Sequence, residues 1–149
     1  MMLADFPLTI HYTQVLVHAE SGAAPGLLWT DEHVAQGFAW SDRSVSFGLP
    51  DHDGECRIKV ETSPAAVPDP QALWAVQVPF HVAGPLQIGT IFDTRRVAVP
   101  DGSYNLVYEA LPGGNDHAYV VRLTFSPSDA PAFRILKKGG DITADTVLR

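Results

Sequence analysis

Apolar residues recur at every second position along much of this 149-residue chain. A period of two places these side chains on one face of an extended strand, whereas a helix needs a period of 3.6. The clearest sets are Trp74, Val76, Val78, Phe80 and Val82, then Tyr104, Leu106 and Tyr108, then Tyr119, Val121, Leu123 and Phe125. With shorter sets at 45–49 and 56–60, they predict an all-β fold, an antiparallel β-sandwich of about eight or nine strands.

Turn-forming residues separate the predicted strands. Proline presets φ, glycine accepts positive φ, and aspartate bonds its own backbone. Such residues cluster at 50–54 and 100–102, and three prolines between Pro64 and Pro70 predict an exposed loop. Pro79 cannot donate a hydrogen bond to a neighbouring strand, so we expect its strand to lie at a sheet edge or to be interrupted there.

The apolar positions change parity near the N-terminus. They are even-numbered at Leu8 and Ile10 and odd-numbered at Val15 and Val17. One extra residue in a strand reverses the facing of every side chain that follows it. The change therefore predicts a β-bulge near Thr13–Gln14.

One segment, residues 29–38, predicts a short helix. Thr30 is a favourable N-cap, and Asp31 and Glu32 follow at the positive end of the helix dipole. Gly37 would end the helix. Because so short a helix is not stable alone, we expect aromatic side chains to pack it against the sheet.

Composition disfavours several classes of function. The formal net charge is −7, and direct nucleic-acid binding needs clustered Lys and Arg for phosphate contacts. No apolar run reaches the roughly 18 residues of a membrane span, and the first residues lack the features of a secretory signal. Cys56 is the only cysteine, which excludes an intrachain disulfide and predicts a cytoplasmic location. The length predicts a single domain over residues 1–149.

The negative charge is concentrated in the first third of the chain. Residues 1–56 contain eight acidic residues and one arginine, whereas residues 57–149 contain nine residues of each sign. Such asymmetry bears on partners and association rates rather than on fold. It has two interpretations at this point, a solvated face that aids solubility or a surface complementary to a basic partner.

Motifs for catalysis and metal binding are weak. The six histidines form no H-x-H or H-x-x-x-H pair, and a metal site needs converging ligands. Residues 51–55 resemble the start of a calcium loop but lack its later ligands, so an acidic turn is expected. Cys56 alternates with Ile58 and Val60, which favours a place in the core. We therefore expect no catalytic residue, no metal and no cofactor.

Three blocks of sequence carry a resemblance to a known family. They are Trp29–Glu32 with Gly37–Ala39 and Ser44–Phe47, then Val78–Val82, then Val99–Leu106. The first block is the most specific, and the three occur in one order between about Leu8 and about Phe125. Together they resemble the ComJ family of competence proteins, the inhibitors of the DNA-entry nuclease. Residues 127–149 lie outside the resemblance.

The resemblance implies a non-enzymatic β-sandwich protein that binds and blocks a small, metal-dependent, sequence-nonspecific deoxyribonuclease, in DNA uptake or as an immunity protein. Any membrane association would come through that partner. A nuclease that grips DNA presents a basic cleft, and carboxylates can occupy it where phosphates would sit. The predicted partner-binding residues are Trp29, Asp31, Glu32, Trp40, Asp42, Asp51, Asp53 and Glu55.

Other interpretations stay open at this point. Trp29 and Trp40 either anchor the partner or belong to the core and pin the helix. A carbohydrate- or ligand-binding β-sandwich module would show an exposed row of tyrosines and tryptophans. A hydrolase or metal enzyme would bring at least three His or Asp ligands into one pocket.

Overall fold

The computed structural model describes residues 2–10, 14–19, 38–41, 44–48, 54–65, 68–90, 94–113 and 119–139. The strands are β1 (Met2–Ile10), β2 (Gln14–Ala19), β3 (Phe38–Ser41), β4 (Ser44–Gly48), β5 (Gly54–Thr62), β6 (Trp74–Val82), β7 (Leu86–Gly89), β8 (Thr94–Val97), β9 (Gly102–Pro112), β10 (Tyr119–Pro127) and β11 (Arg134–Lys137). The described residues contain no helix. The predicted short helix falls on residues 29–37, outside them, and Phe38 begins a strand instead of ending that helix.

The strands form two sheets. The six-stranded sheet has the order β1-β5-β10-β9-β6-β11, and the five-stranded sheet has the order β3-β4-β2-β7-β8. Strands β5 and β10 run parallel, whereas the other described pairs are antiparallel. The all-β, largely antiparallel prediction is confirmed.

The parity change near the N-terminus marks the passage of the chain from one sheet to the other. Strand β1 belongs to the six-stranded sheet and β2 to the five-stranded sheet. Leu8 is buried on the first, and Val15 and Val17 are buried on the second. The two runs of alternation thus belong to different sheets, and the β-bulge predicted near Thr13–Gln14 falls at residues 11–13, outside the described part of the chain. Because β1 and β2 count as two strands, the described residues contain eleven strands in all.

Inward-facing residues of both sheets share one core. The rings of Phe47 on β4 and Tyr108 on β9 stack with centroids 4.6 Å apart and planes 8° apart. The Tyr108 hydroxyl donates to the carbonyl oxygen of Gly48 at 2.7 Å. Stacking of this kind adds about 0.5–1.5 kcal/mol to the gain from burial alone. Cys56 is fully buried in the same core, as its alternation predicted.

Pro79 lies within β6 without interrupting it. Strand β6 pairs with β9 along its whole length, whereas β11 pairs with it only from Ala75 to Gln77. Pro79 therefore lies beyond the last β11 pair, where its missing N–H breaks no pairing with that strand. Of the two expectations for this strand, the local edge position is correct and the interruption is not.

Candidate functional site

The predicted partner-binding residues fall mostly outside the described part of the chain. Trp40 is described completely, and Glu55 is described by its backbone. The predicted residues outside the described ranges are Trp29, Asp31, Glu32, Asp42, Asp51 and Asp53. For these, the structure gives the positions at which the neighbouring strands begin and end.

The chain enters β3 and leaves β4 at the same end of the five-stranded sheet. Phe38, the first residue of β3, pairs with Phe47, the penultimate residue of β4. Gly48, the last residue of β4, pairs with Gln14, the first residue of β2. The segment that carries Asp31 and Glu32 thus leads into the sheet beside the point where the chain continues towards Asp51.

The connection that carries Asp51 and Asp53 joins the two sheets. It runs from Gly48 in the five-stranded sheet to Gly54 in the six-stranded sheet, and Glu55 is the next residue of β5. Gly54 pairs with Ile10, the last residue of β1, so a second link between the sheets starts beside the first. Both links therefore begin and end at neighbouring strand ends.

Asp42 follows the end of β3 that is opposite to the end at which the chain enters this strand. It follows Ser41, which pairs with Ser44, the first residue of β4. Four residue steps separate Ser44 from Gly48, a span of about 13 Å. The chain thus enters β3 and leaves β4 at one end of β4, and leaves β3 at the other end.

Trp40 is tied to both sheets. Its indole Nε1–H donates to the carbonyl oxygen of Pro79 on β6 at 2.8 Å. Its ring meets that of Phe133 edge to face, with centroids 5.0 Å apart and planes at 82°. The side chain is partly buried and packs against the core. These contacts support a structural role for Trp40, since it links edge strand β3 to a stretch of β6 beyond β11.

A buried ion pair that the sequence did not predict lies on the outer face of the six-stranded sheet. Glu109 on β9 is opposite Arg122 on β10, and the Glu109 side chain is 1% exposed. Arg122 donates from Nε to Oε1 at 3.0 Å and from Nη2 to Oε2 at 2.8 Å. The Asp69 N–H also donates to Oε2 at 2.8 Å. Both residues occupy outward-facing positions of strands whose inward-facing positions are apolar. A charged residue at an outward position of each strand was the sequence feature that could have indicated the ion pair.

The described residues of the segment from Pro64 to Pro70 contact this face of the sheet at two points. The Ser126 hydroxyl donates to the Pro64 carbonyl oxygen at 3.1 Å, and Asp69 reaches Glu109 from the other half of the loop. Pro64 and Pro70 themselves are exposed, as the proline spacing predicted. Asp69 therefore contacts the Glu109 carboxylate, while Pro64 and Pro70 are exposed and Pro68 is half-buried.

Two arginines that follow the acidic third of the chain, Arg57 and Arg122, pair with acidic residues other than those predicted to bind a partner. Arg57 on β5 donates to Asp5 on β1 at 2.5 Å, and both side chains are more than one-third exposed. Arg122 lies 3.8 Å from Glu61 in addition to its contact with Glu109. An exposed pair such as Asp5–Arg57 contributes about 0–1 kcal/mol to stability.

The three tyrosines with period-two spacing are buried. Tyr104, Tyr108 and Tyr119 are each less than 5% exposed, and the Tyr104 hydroxyl donates to the Pro100 carbonyl oxygen at 2.6 Å. Desolvation by burial raises the pKa of the Tyr108 and Tyr119 hydroxyls above its ordinary value. These rings are core residues, so they do not supply the exposed row that a carbohydrate-binding module needs.

Metal-ligating side chains are dispersed in the described residues. No three His, Cys, Asp or Glu side chains in these ranges group as a metal ion requires. His81 is exposed on β6, while His18 is buried on β2 with Nδ1 3.0 Å from the Ala19 carbonyl oxygen. Within the same ranges there is no helix with the length and hydropathy of a transmembrane span.

Comparison with known proteins gives one family and one solved structure. The family model described as competence protein J (ComJ) matches residues 7–126, beginning within β1 and ending within β10. The chain is similar to the crystal structure of ComJ, inhibitor of the DNA-degrading activity of NucA, from Bacillus subtilis. That match has a TM-score of 0.75 and 25% identity, and covers 86% of this chain and 98% of that chain. No curated protein matches the chain.

Proposed function

The chain belongs to the competence protein J family, and from this we propose that it is a protein inhibitor of a metal-dependent, sequence-nonspecific deoxyribonuclease. The observation that carries the proposal is the similarity to a solved inhibitor of a DNA-degrading activity, which spans 98% of that inhibitor's chain. The protein acts by binding and is not itself an enzyme. Its setting would be either DNA uptake or immunity against a toxin nuclease.

Inhibition would follow from occupation of the nuclease's DNA-binding cleft. A cleft that holds a phosphate backbone is lined by Lys and Arg. The net charge of this chain is −7, and the balance within residues 1–56 accounts for all of it. Charge complementarity of this kind raises association rates by about ten- to a thousandfold. The acidic third of the chain thus offers carboxylates where the cleft would otherwise bind phosphates.

We assign the partner-binding surface to the end of the five-stranded sheet where the chain enters β3 and leaves β4. The residues assigned to it are Trp29, Asp31, Glu32, Asp51, Asp53 and Glu55. The pairing of Phe38 with Phe47, next to Gly48, supports this grouping, because it brings the two acid-bearing segments to adjacent strand ends. The surface also includes the adjoining edge strand β3, which carries Trp40 and is followed in the chain by Asp42.

We propose that the chain forms a single sandwich domain over residues 1–149, with a short helix at residues 29–37. This domain carries the partner-binding surface. The stacking of Phe47 on Tyr108 supports the face-to-face arrangement of the sheets. The lone Cys56 is consistent with action in the reducing cytoplasm. The nuclease would supply any attachment to a membrane.

The proposal predicts stoichiometric protection of DNA. Purified protein, titrated against a metal-dependent, nonspecific deoxyribonuclease of the same organism, should suppress plasmid degradation almost completely at about one inhibitor per nuclease, because the nuclease in the complex cannot bind DNA. Excess Mg²⁺ in the assay excludes metal sequestration by the acidic chain. Unchanged plasmid mobility with inhibitor alone excludes coating of the DNA. Undiminished degradation at a large molar excess of inhibitor would refute the proposal.

A further inference from the structure

The chain continues beyond the family match into a segment that closes one side of the molecule. The match ends at residue 126, within β10. Residues 128–139, called here the C-terminal belt, include β11, the edge strand of the six-stranded sheet. Edge strand β3 of the five-stranded sheet lies on the same side, because Phe133 contacts it directly. The belt therefore spans the two neighbouring sheet edges.

Specific hydrogen bonds hold the C-terminal belt against the six-stranded sheet. The Ala132 N–H donates to Asn105 Oδ1 at 3.0 Å, and Gln77 Nε2 donates to the Ala132 carbonyl oxygen at 3.0 Å. Further along, Lys137 Nζ donates to the Pro70 carbonyl oxygen at 3.0 Å. Antiparallel pairing of β11 with β6 adds backbone hydrogen bonds. The backbone on both sides of Phe133 is thus fixed.

Phe133 connects the C-terminal belt to the five-stranded sheet as well. Its ring stacks on Phe38, with centroids 6.2 Å apart and planes 12° apart, and meets Trp40 edge to face. Strand β3 is only four residues long and pairs with β4 on one side. So short an edge strand has few backbone hydrogen bonds of its own. The Phe133 contacts, together with the Trp40–Pro79 hydrogen bond, hold β3 to the other sheet.

We propose that the C-terminal belt, through Phe133, positions edge strand β3, with Trp40, for binding the nuclease. The inference rests on the proposed function. Trp40, a predicted partner-binding residue, lies within β3, and Asp42 follows the strand directly in the chain. If only a fraction of molecules has the competent arrangement, the apparent Kd rises by the inverse of that fraction. Phe133 is thus a positioning residue that need not touch the partner.

The test compares two apolar truncations within the C-terminal belt of the full chain. Phe133→Ala removes the contacts with β3, whereas Ile135→Ala removes a partly buried side chain from β11, which pairs with β6. We expect Phe133→Ala to weaken nuclease inhibition about tenfold, as when a tenth of the molecules stay competent. Ile135→Ala should lower the melting temperature comparably while leaving inhibition near wild type. Phe133→Tyr keeps the ring and should restore inhibition.

The outcomes separate this inference from the proposed function. A wild-type chain that inhibits nothing would refute the function itself. A wild-type chain that inhibits, together with a folded Phe133→Ala variant of equal potency, would overturn only the positioning role. Equal losses of inhibition in Phe133→Ala and Ile135→Ala would also overturn it, because they would reflect stability alone. If Phe133→Ala does not fold, Phe133→Leu, which retains apolar bulk without an aromatic ring, takes its place under the same criteria.

Discussion

Replacing both Asp31 and Glu32 with lysine is expected to slow association with the nuclease by about ten- to a hundredfold at low ionic strength. The carboxylates would otherwise attract the basic cleft during diffusional encounter, and the lysines would repel it. The dependence of the association rate on salt should weaken as well, because fewer favourable charge interactions remain to be screened. Stopped-flow mixing at several ionic strengths measures both quantities.

Asp129 provides the matched control for this charge reversal. It is exposed, and it lies in the part of the chain whose charges cancel. Asp129→Lys changes the net charge by the same amount as Asp31→Lys, so a general charge effect would slow both single variants alike. We expect the association rate to fall only for Asp31→Lys. Equal rates for these two variants would move the partner-binding surface away from the segment before β3.

Arg122→Ala is expected to lower the free energy of unfolding by about 3 kcal/mol or more. The replacement leaves the Glu109 carboxylate, 1% exposed, without its charged partner, while the Asp69 N–H still donates to it. A buried charge without a partner destabilises the folded state far more than the loss of a surface ion pair does. Urea denaturation followed by circular dichroism measures the difference.

Arg57→Ala is the comparison for this second prediction. It also removes an arginine from a cross-strand ion pair of the same sheet, but the Asp5–Arg57 pair is more than one-third exposed. Its loss should therefore cost no more than about 1 kcal/mol. Similar losses for Arg57→Ala and Arg122→Ala would contradict the claim that burial makes the Glu109–Arg122 pair important.

The long strands could be predicted from sequence because each repeats the alternation several times. Strands β6, β9 and β10 have nine, eleven and nine residues, and their apolar positions are buried as predicted. Strands β3, β8 and β11 have four residues each. A four-residue strand has only two inward positions, too few to establish a period. This is one reason why the predicted strand number was too low.

The candidate site, likewise, could be predicted from the sequence only in part. Charge asymmetry and the family resemblance selected the acidic residues, since both are properties of the sequence alone. Strand order determines which strand ends adjoin one another, and no local pattern reveals that order. The contacts of Trp40 with Pro79 and Phe133 join residues far apart in the chain. Such pairings depend on how two sheets pack, which local periodicity does not determine.

Competition between the protein and DNA for the nuclease tests most directly whether the acidic surface occupies the DNA-binding cleft. The apparent Kd of the complex would be measured with increasing amounts of a nuclease-resistant DNA duplex. We expect this Kd to rise in proportion to the DNA concentration, with no complex containing all three components. An unchanged Kd at saturating DNA, with a stable ternary complex, would contradict the claim that the acidic surface occupies the DNA-binding cleft.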